Sequence, residues 1–362
     1  MNKMRAVVKT EKGVGLIELR EVPIPEPREG EVLIKVKAGG ICGTDIYIRH
    51  DAFPYYPPVI LGHEFSGEIV KIGKNVEEWK VGDRVVAEPH SKACGVCDLC
   101  RAGYSQICLN KRSPGWGIDG AFAEYIKMPN HLLHRIPDSI SFESAAVIEP
   151  LTIILHEVVE RGNIEAGDKV VIFGAGPIGL LAAKISYLSG ASYVILVGTD
   201  QDKEYRFELA KKIPVDIIVN VSHENLIEKV EELTNEKLAD VAIEASGSPK
   251  AIYQLPDVVR KRGRIIAVGL PGKEPVSFPW EKAMFKVLDL YFNLSSSHSA
   301  WVKAIALLEN KKIDLDFVVT HKFPLEEWEK AFDLVELGRC GKVLLIPQEQ
   351  KYFRRNWELD NA

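Results

Sequence analysis

The run Gly174-Ala175-Gly176-Pro177-Ile178-Gly179 follows directly on the apolar stretch Asp168 to Phe173 and leads into Leu180 to Ser189, which has helical character. A G-x-G-x-x-G pattern alone is weak evidence. Set between a strand and a helix in a unit of βαβ size, it commits the surrounding chain to a parallel sheet that binds a dinucleotide. The first two glycines permit a tight turn and close approach of a pyrophosphate, and the third lets helix and strand pack. The helix N-terminus then faces the phosphates. Tyr193 to Val197, Asp216 to Asn220, Asp240 to Ala245 and Arg264 to Val268 read as further buried strands, separated by helical segments such as Glu224 to Thr234. Strands alternating with helices predict an α/β, doubly wound parallel sheet.

That unit occupies only the middle of the chain. At 362 residues the sequence is long enough for two domains. Before residue 150 the texture is mostly β and irregular, with short strands expected at Arg5 to Val8, Gly15 to Glu18, Glu31 to Ala38, Gly67 to Ile72 and Asp83 to Ala87. After about Leu290 a mixed texture returns. Helices are expected at Ala300 to Glu309 and Leu325 to Leu337, and a last strand at Lys342 to Ile346. The expected division is a mostly-β domain over 1–150, a dinucleotide domain over 151–290, and a return to the first domain over 291–362.

Charge and composition narrow the partners. The net charge of −5 offers no cationic surface for nucleic acid or an anionic membrane. No apolar run reaches the roughly 20 residues of a membrane helix, and Met1 to Thr10 lacks the apolar core of a signal peptide. The expectation is a cytoplasmic protein whose partners are small molecules or copies of itself. In a reducing compartment, four of the six cysteines crowded into 94–108 read as metal ligands before disulfides.

Their pattern is Cys94-x2-Cys97-x2-Cys100-x7-Cys108, which lets a loop over about 90–110 wrap one ion tetrahedrally. Four thiolates close the coordination shell, so the site would be structural zinc. An iron–sulfur cluster competes, but the fourth cysteine is seven residues on and no proline follows it. A second candidate metal site is Gly62-His63-Glu64, with Cys42 upstream in Gly39-Gly40-Ile41-Cys42-Gly43-Thr44-Asp45 and Glu149 downstream in Ile148-Glu149-Pro150. An isolated His-Glu pair is ordinarily a surface turn. Together with Cys42 and a carboxylate it makes a mixed S/N/O donor set suited to zinc, with a position left for water or substrate.

These motifs, in this order and joined by Gly120-Ala121-Phe122-Ala123-Glu124-Tyr125 and Glu149-Pro150-Leu151, resemble the zinc-dependent medium-chain dehydrogenases. The likeness runs from about Arg5 to Pro347. It implies a GroES-like catalytic domain, a Rossmann domain, an active cleft between them, two zinc ions per chain and a homodimer or homotetramer. Glu149-Pro150-Leu151 is similar to the sorbitol dehydrogenase branch, in which a glutamate stands where alcohol dehydrogenases place a cysteine ligand. Threonine dehydrogenases usually carry Asp-Pro-Phe there, and galactitol-phosphate dehydrogenases share much of the remaining pattern.

By that resemblance Cys42, His63 and Glu64 bind the catalytic zinc, and Glu149 either binds it directly or holds its water. Thr44 would begin a proton relay, and Asp45 would accept from the second ring nitrogen of His63. The substrate would be a polyol or other secondary alcohol. Two departures stand out. The family often has a histidine five residues after the ligand cysteine; here that residue is Tyr47, a candidate substrate contact, and His50 follows as a candidate relay group or an exposed loop histidine. At the end of the second Rossmann strand, NAD enzymes place an acid on the ribose 2′-hydroxyl. This chain has Gly198, followed by Thr199, Asp200, Gln201, Asp202 and Lys203. Lys203 or Arg206 would attract a 2′-phosphate and Asp200 and Asp202 would repel one, which leaves NAD(H) slightly ahead of NADP(H). Tyr291 to Leu294 is the expected edge strand for oligomer contact, and the basic, aromatic tail 351–357 reads as a loosely held end before it reads as another contact.

Overall fold

The computed structural model describes residues 2–273 and 275–348, so the tail 351–357 lies outside the described residues. The first part carries strands β1 (Lys3–Lys9), β2 (Ile17–Pro23), β3 (Glu31–Gly40), β4 (Val59–Ile60), β5 (Glu64–Ile72), β6 (Arg84–Ala87), β7 (Tyr125–Pro129) and β8 (Leu133–Arg135). Between β3 and β4 runs the short helix α1 (Gly43–Arg49). The middle carries α2 (Ile148–Ile154), β9 (Lys169–Phe173), α3 (Pro177–Leu188), β10 (Tyr193–Gly198), β11 (Ile217–Asn220), β12 (Ala239–Glu244), β13 (Val259–Ala267), α4 (Trp280–Lys286) and β14 (Asp289–Phe292). Then follow α5 (His298–Glu309), β15 (Val319–Pro324), α6 (Trp328–Glu336) and β16 (Lys342–Ile346).

The middle strands form a six-stranded sheet in the order β11-β10-β9-β12-β13-β14, every pairing parallel. This is the doubly wound order, with the strand order reversing at β9 and β12. The strands read as continuous apolar runs because both faces are covered. Val170 and Ile172 of β9 pack on one side with Leu180 and Leu181 of α3 and Ala304 and Leu308 of α5. Val171 and Phe173 pack on the other with Leu226, Val230 and Leu255. Each such fully buried aliphatic side chain contributes about 1.5–3 kcal/mol.

The first part forms a seven-stranded sheet, β15-β16-β3-β5-β6-β8 with β7 also on β3, and a three-stranded sheet β2-β1-β4. β16 joins antiparallel to β3 through Leu344 with Gly40 and Leu345 with Gly39. The last strand of the chain thus completes a sheet begun near its start. The boundary expected at 290/291 falls inside β14: Tyr291 and Phe292 pair with Ile266 and Ala267 in the six-stranded sheet, and α5 packs onto α2. The crossing back comes only after α5, because the apolar face of that helix is needed to cover the parallel sheet.

The glycine loop allows a direct test. A Cβ on Gly179 would overlap the carbonyl oxygen of Gly174, whereas one on Gly176 would meet nothing nearer than Arg206 Cζ at 4.0 Å. Gly179→Ala is expected to destabilise the protein by about 1–3 kcal/mol in denaturant titration. Gly176→Ala should leave the melting temperature within a degree or two while weakening dinucleotide binding.

Candidate active site and metal centres

Cys42 ends the loop after β3 and caps α1, where its backbone N–H donates to Asp45 Oδ2 at 2.9 Å. His63 follows Gly62, whose φ of 91° lies in the left-handed region, and the Phe122 ring fills the space a Cβ there would need. Only glycine combines that backbone angle with that approach. Glu64 opens β5 against Gly40, whose missing side chain makes room for the carboxylate. One ligand atom each from Cys42, His63 and Glu64 comes within 4.8 Å of the others.

Acidic and basic groups crowd the pocket. Glu64 Oε1 accepts from Lys342 Nζ of β16 at 2.7 Å with both side chains buried, and Lys342 also donates to the Ile41 carbonyl at 3.2 Å. Burial opposes the Lys342 charge, but Glu64, Cys42 and Glu149 hold its pKa above the ordinary ammonium value. Burial likewise opposes a charge on His63, yet the Cys42 thiol beside it, with Asp45 and Glu149, raises its pKa to about 10. Burial pushes the Glu149 carboxyl up to about 7, with His63 pulling it down and Glu64 pushing it further up. His63 Nδ1, Glu64 Oε2 and Asp45 Oδ1 are buried without a hydrogen-bond partner. Unpartnered carboxylate oxygens of Glu64 and Asp45 beside a thiol and an imidazole are a fit for a divalent cation, and the S/N/O set fits zinc.

The structure redistributes the other expected roles. Asp45 spends one oxygen on the Cys42 N–H, and neither its second oxygen nor His63 Nδ1 has a partner, so the expected bond between the two is not formed. Burial lifts the Asp45 carboxyl to about 6, with His63 opposing. Thr44 Oγ1 lies 3.7 Å from Cys42 Sγ at the half-buried lip of the pocket. His50 is drawn out of the expected relay, because its Nε2 meets Glu336 Oε1 of α6 at 2.7 Å on the surface. Tyr47 reaches across the cleft and donates to the Leu270 carbonyl at 2.7 Å, and Lys273 Nζ donates to the Asp51 carbonyl at 2.8 Å. Leu270 follows β13, so α1 sits over the carboxyl ends of the parallel strands, where such sheets bind ligands.

The loop after β9 places Gly174 at φ 107° against Ser246 and makes Gly176 the N-cap of α3 with Pro177 in its first turn. Ile178 and Gly179 continue that turn at the carboxyl end of β9. At the end of β10, a Cβ on Gly198 would collide with the Phe207 ring and come 2.9 Å from Asp202 Oδ2. The missing acid has a physical cause: Phe207 and Asp202 fill its place. Asp202 accepts from Thr199 N at 2.9 Å and from Arg206 Nη1 at 2.9 Å, while Asp200 accepts from Asn220 and His223 and Lys203 is exposed.

In the cysteine lobe, Sγ atoms stand 3.6 Å apart for Cys94 and Cys108, 3.9 Å for Cys97 and Cys108, and 4.0 Å for Cys94 and Cys100. Tetrahedral thiolates on zinc are about 3.8 Å apart. Backbone N–H groups of Val96 and Cys97 lower the Cys94 pKa to about 6, which favours the thiolate that a metal requires.

The alcohol dehydrogenase GroES-like domain model matches residues 28–138, and the zinc-binding dehydrogenase model matches residues 177–310. The chain is 38% identical to the sorbitol dehydrogenase of Halalkalibacterium halodurans over 344 residues, 95% of this chain and 99% of the relative. The chain is a zinc-dependent medium-chain dehydrogenase. It is also 40% identical to the L-threonine 3-dehydrogenase of Pyrococcus horikoshii, over 95% of this chain and 99% of that one. Its fold matches a zinc-binding dehydrogenase from Sinorhizobium meliloti bound to NADP, with a TM-score of 0.89, 32% identity, and coverage of 96% and 100%. The family is one of zinc enzymes acting on alcohols rather than of iron–sulfur electron carriers.

Sequence reasoning missed Lys342, which no motif marks, and Lys111. Lys111 Nζ donates to the Gln106 carbonyl at 2.9 Å and Ser295 Oγ at 3.0 Å, and burial lowers its pKa to about 8, with Glu149 opposing. The Glu64–Lys342 pair is testable. Lys342→Met strands a buried carboxylate and is expected to destabilise by about 3–5 kcal/mol. Glu64→Gln combined with Lys342→Met should recover a large part of that loss in the same denaturation measurement.

Proposed function

We propose that this chain oxidises a polyol or another secondary alcohol to the ketone, and runs the reverse, exchanging hydride with a nicotinamide dinucleotide and releasing one proton. The observation that carries this reading is the Cys42, His63 and Glu64 set with its unpartnered buried atoms, next to the helix α1 from which Tyr47 reaches the Leu270 carbonyl after β13. Zinc bound there supplies Lewis-acid polarisation of an alcohol oxygen, which lowers its pKa and favours departure of hydride from carbon to the nicotinamide. Cys42, His63 and Glu64 would hold that zinc, Glu64 through the oxygen that Lys342 leaves free. Glu149, within electrostatic reach of His63 and Glu64, would orient the water or substrate hydroxyl beside it. Thr44, half-buried at the lip, is the first acceptor for the hydroxyl proton. Cys94, Cys97, Cys100 and Cys108 would hold a second, structural zinc.

NAD(H) stands ahead of NADP(H) in this reading because the Asp202 carboxylate occupies the strand-end space that Gly198 leaves open, and the exposed Asp200 adds a second negative charge nearby. Metal content and turnover test the whole assignment. Cys42→Ser should fold, fall from two zinc ions per chain to one, and lose at least about a thousandfold in kcat/KM on a panel of polyols and amino alcohols. Wild type should show the higher kcat/KM with NAD+. Turnover that survives the substitution, iron in the purified protein, or a preference for NADP+ would each refute the part it addresses.

The proposed assembly is a homodimer or homotetramer joined at the free edge of the parallel sheet. Phe292 of β14 is 72% exposed and Phe285 of α4 is 73% exposed, with Trp280, Met284 and Leu294 also open to solvent. An apolar patch of this kind beside an unpaired strand edge marks an interaction surface. Phe292→Glu should reduce the mass measured by light scattering to that of a smaller assembly. No helix among the described residues is long and apolar enough to cross a membrane, and the four-thiol lobe suits the reducing cytoplasm, a placement that fractionation checks.

A further inference from the structure

Glu88, just after β6, is buried and receives three imidazoles. Its Oε1 faces His134 Nε2 of β8 at 2.8 Å and His298 Nδ1 of α5 at 2.6 Å, and its Oε2 faces His90 Nε2 at 2.7 Å. One ligand atom each from Glu88, His134 and His298 lies within 4.8 Å of the others, the same closeness found at the catalytic and cysteine sets. We propose that Glu88, His134 and His298 form a third metal site. It would take a divalent cation of the class that imidazole and carboxylate share, zinc, nickel or cobalt.

Several features equip the cluster for this beyond proximity. Two histidines and a glutamate, with a fourth position open to water, are a known zinc donor set. Glu88 stays ionised: burial alone would raise its pKa, but the hydrogen bonds from His134 and His90 and the charge of His90 bring it well below the ordinary carboxylate value. His90 holds the outer oxygen and so aims the inner one, the role an outer-shell partner plays at metal sites. The His134 ring is stacked on Trp301 at 5.3 Å and 13°, which fixes its plane. His298 opens the first turn of α5 and its side chain is 70% exposed, so the site has an entry path and one ligand free to adjust.

That adjustment is small. Tetrahedral ligands about 2.0 Å from an ion stand about 3.3 Å apart, against 2.6 and 2.8 Å here, so the rings need to part by roughly half an ångström. Each ring moves the proton now pointed at Glu88 to its other nitrogen, leaving both lone pairs facing inward. Glu88 directly follows β6 and His134 lies in β8, both strands of the seven-stranded sheet, while His298 begins the helix that covers the parallel sheet. The ion would therefore join the two units.

The test uses untagged, zinc-loaded protein, equilibrium dialysis against Ni2+ or Zn2+, and melting curves with and without the ion. Wild type is expected to bind one equivalent beyond its two zinc ions and to melt several degrees higher with the ion present. His298→Ala, an exposed substitution, should lose that equivalent and the shift, while His131→Ala, at an exposed histidine outside the cluster, should keep both. No further equivalent up to 1 mM ion, or one that persists in His298→Ala, overturns the proposal. These readouts do not depend on activity, so they stand apart from the assignment of the catalytic zinc.

Discussion

The structure is organised around a buried cluster of ionisable groups. Cys42, Asp45, Glu64 and Glu149 converge where His63, Lys342 and Lys111 offset them. Leaving such groups ionised away from water is costly unless each finds a partner. Here the answer is divided. Lys342 neutralises one oxygen of Glu64, and the other oxygen remains buried and unpartnered. The unpartnered oxygen leaves the pocket open to a cation, and Lys342 limits the unbalanced charge there.

This arrangement explains why the chain must return to its starting sheet. Lys342 lies on the last strand, 278 residues from Glu64, and it reaches the pocket because β16 pairs with β3 directly beside the glycines that precede Cys42. Cys42, His63 and Glu64 come from loops and strand starts of the first part, Glu149 from the helix that leads into the parallel sheet, and Lys342 from the end. The site therefore exists only when both ends of the chain and the connecting helix are in place. Metal affinity and folding of the catalytic unit are linked for that reason, since the unfolded chain offers no such convergence.

Much of this was legible in the sequence, and the failures have a common cause. The parallel strands could be read because both their faces are buried, and the glycine loop and cysteine lobe because their residues are close along the chain. Gly15 to Glu18 was placed too early, and β2 runs from Ile17 to Pro23, where charged residues interrupt the alternation. His50 had the spacing of a relay group but found Glu336 on a helix almost three hundred residues away. Lys342 and the Glu88 cluster were illegible because each depends on pairings between distant strands, and a lone lysine or histidine in a sequence gives no sign of what will face it. The boundary near 290 failed in the same way: the texture changes there, but β14 is still held by β13 and α5 by the core of the parallel sheet.

The strand-end glycine shows how a local motif reads differently once the fold is in place. Gly198 looks like the removal of an acid, and from sequence it opens the door to a 2′-phosphate. In three dimensions the turn after β10 brings Phe207 and Asp202 into the space a side chain at 198 would occupy, so a carboxylate stands close to the strand end although position 198 carries none. Its setting differs from that of a strand-end acid. Asp202 already accepts from Thr199 N and pairs with Arg206, and Arg206 in turn donates to the Cys340 carbonyl beside the returning strand. The turn at the end of β10 is thus tied through Arg206 to the segment that leads into β16, so the parallel sheet and the seven-stranded sheet are held together at this end by the guanidinium of a charged pair.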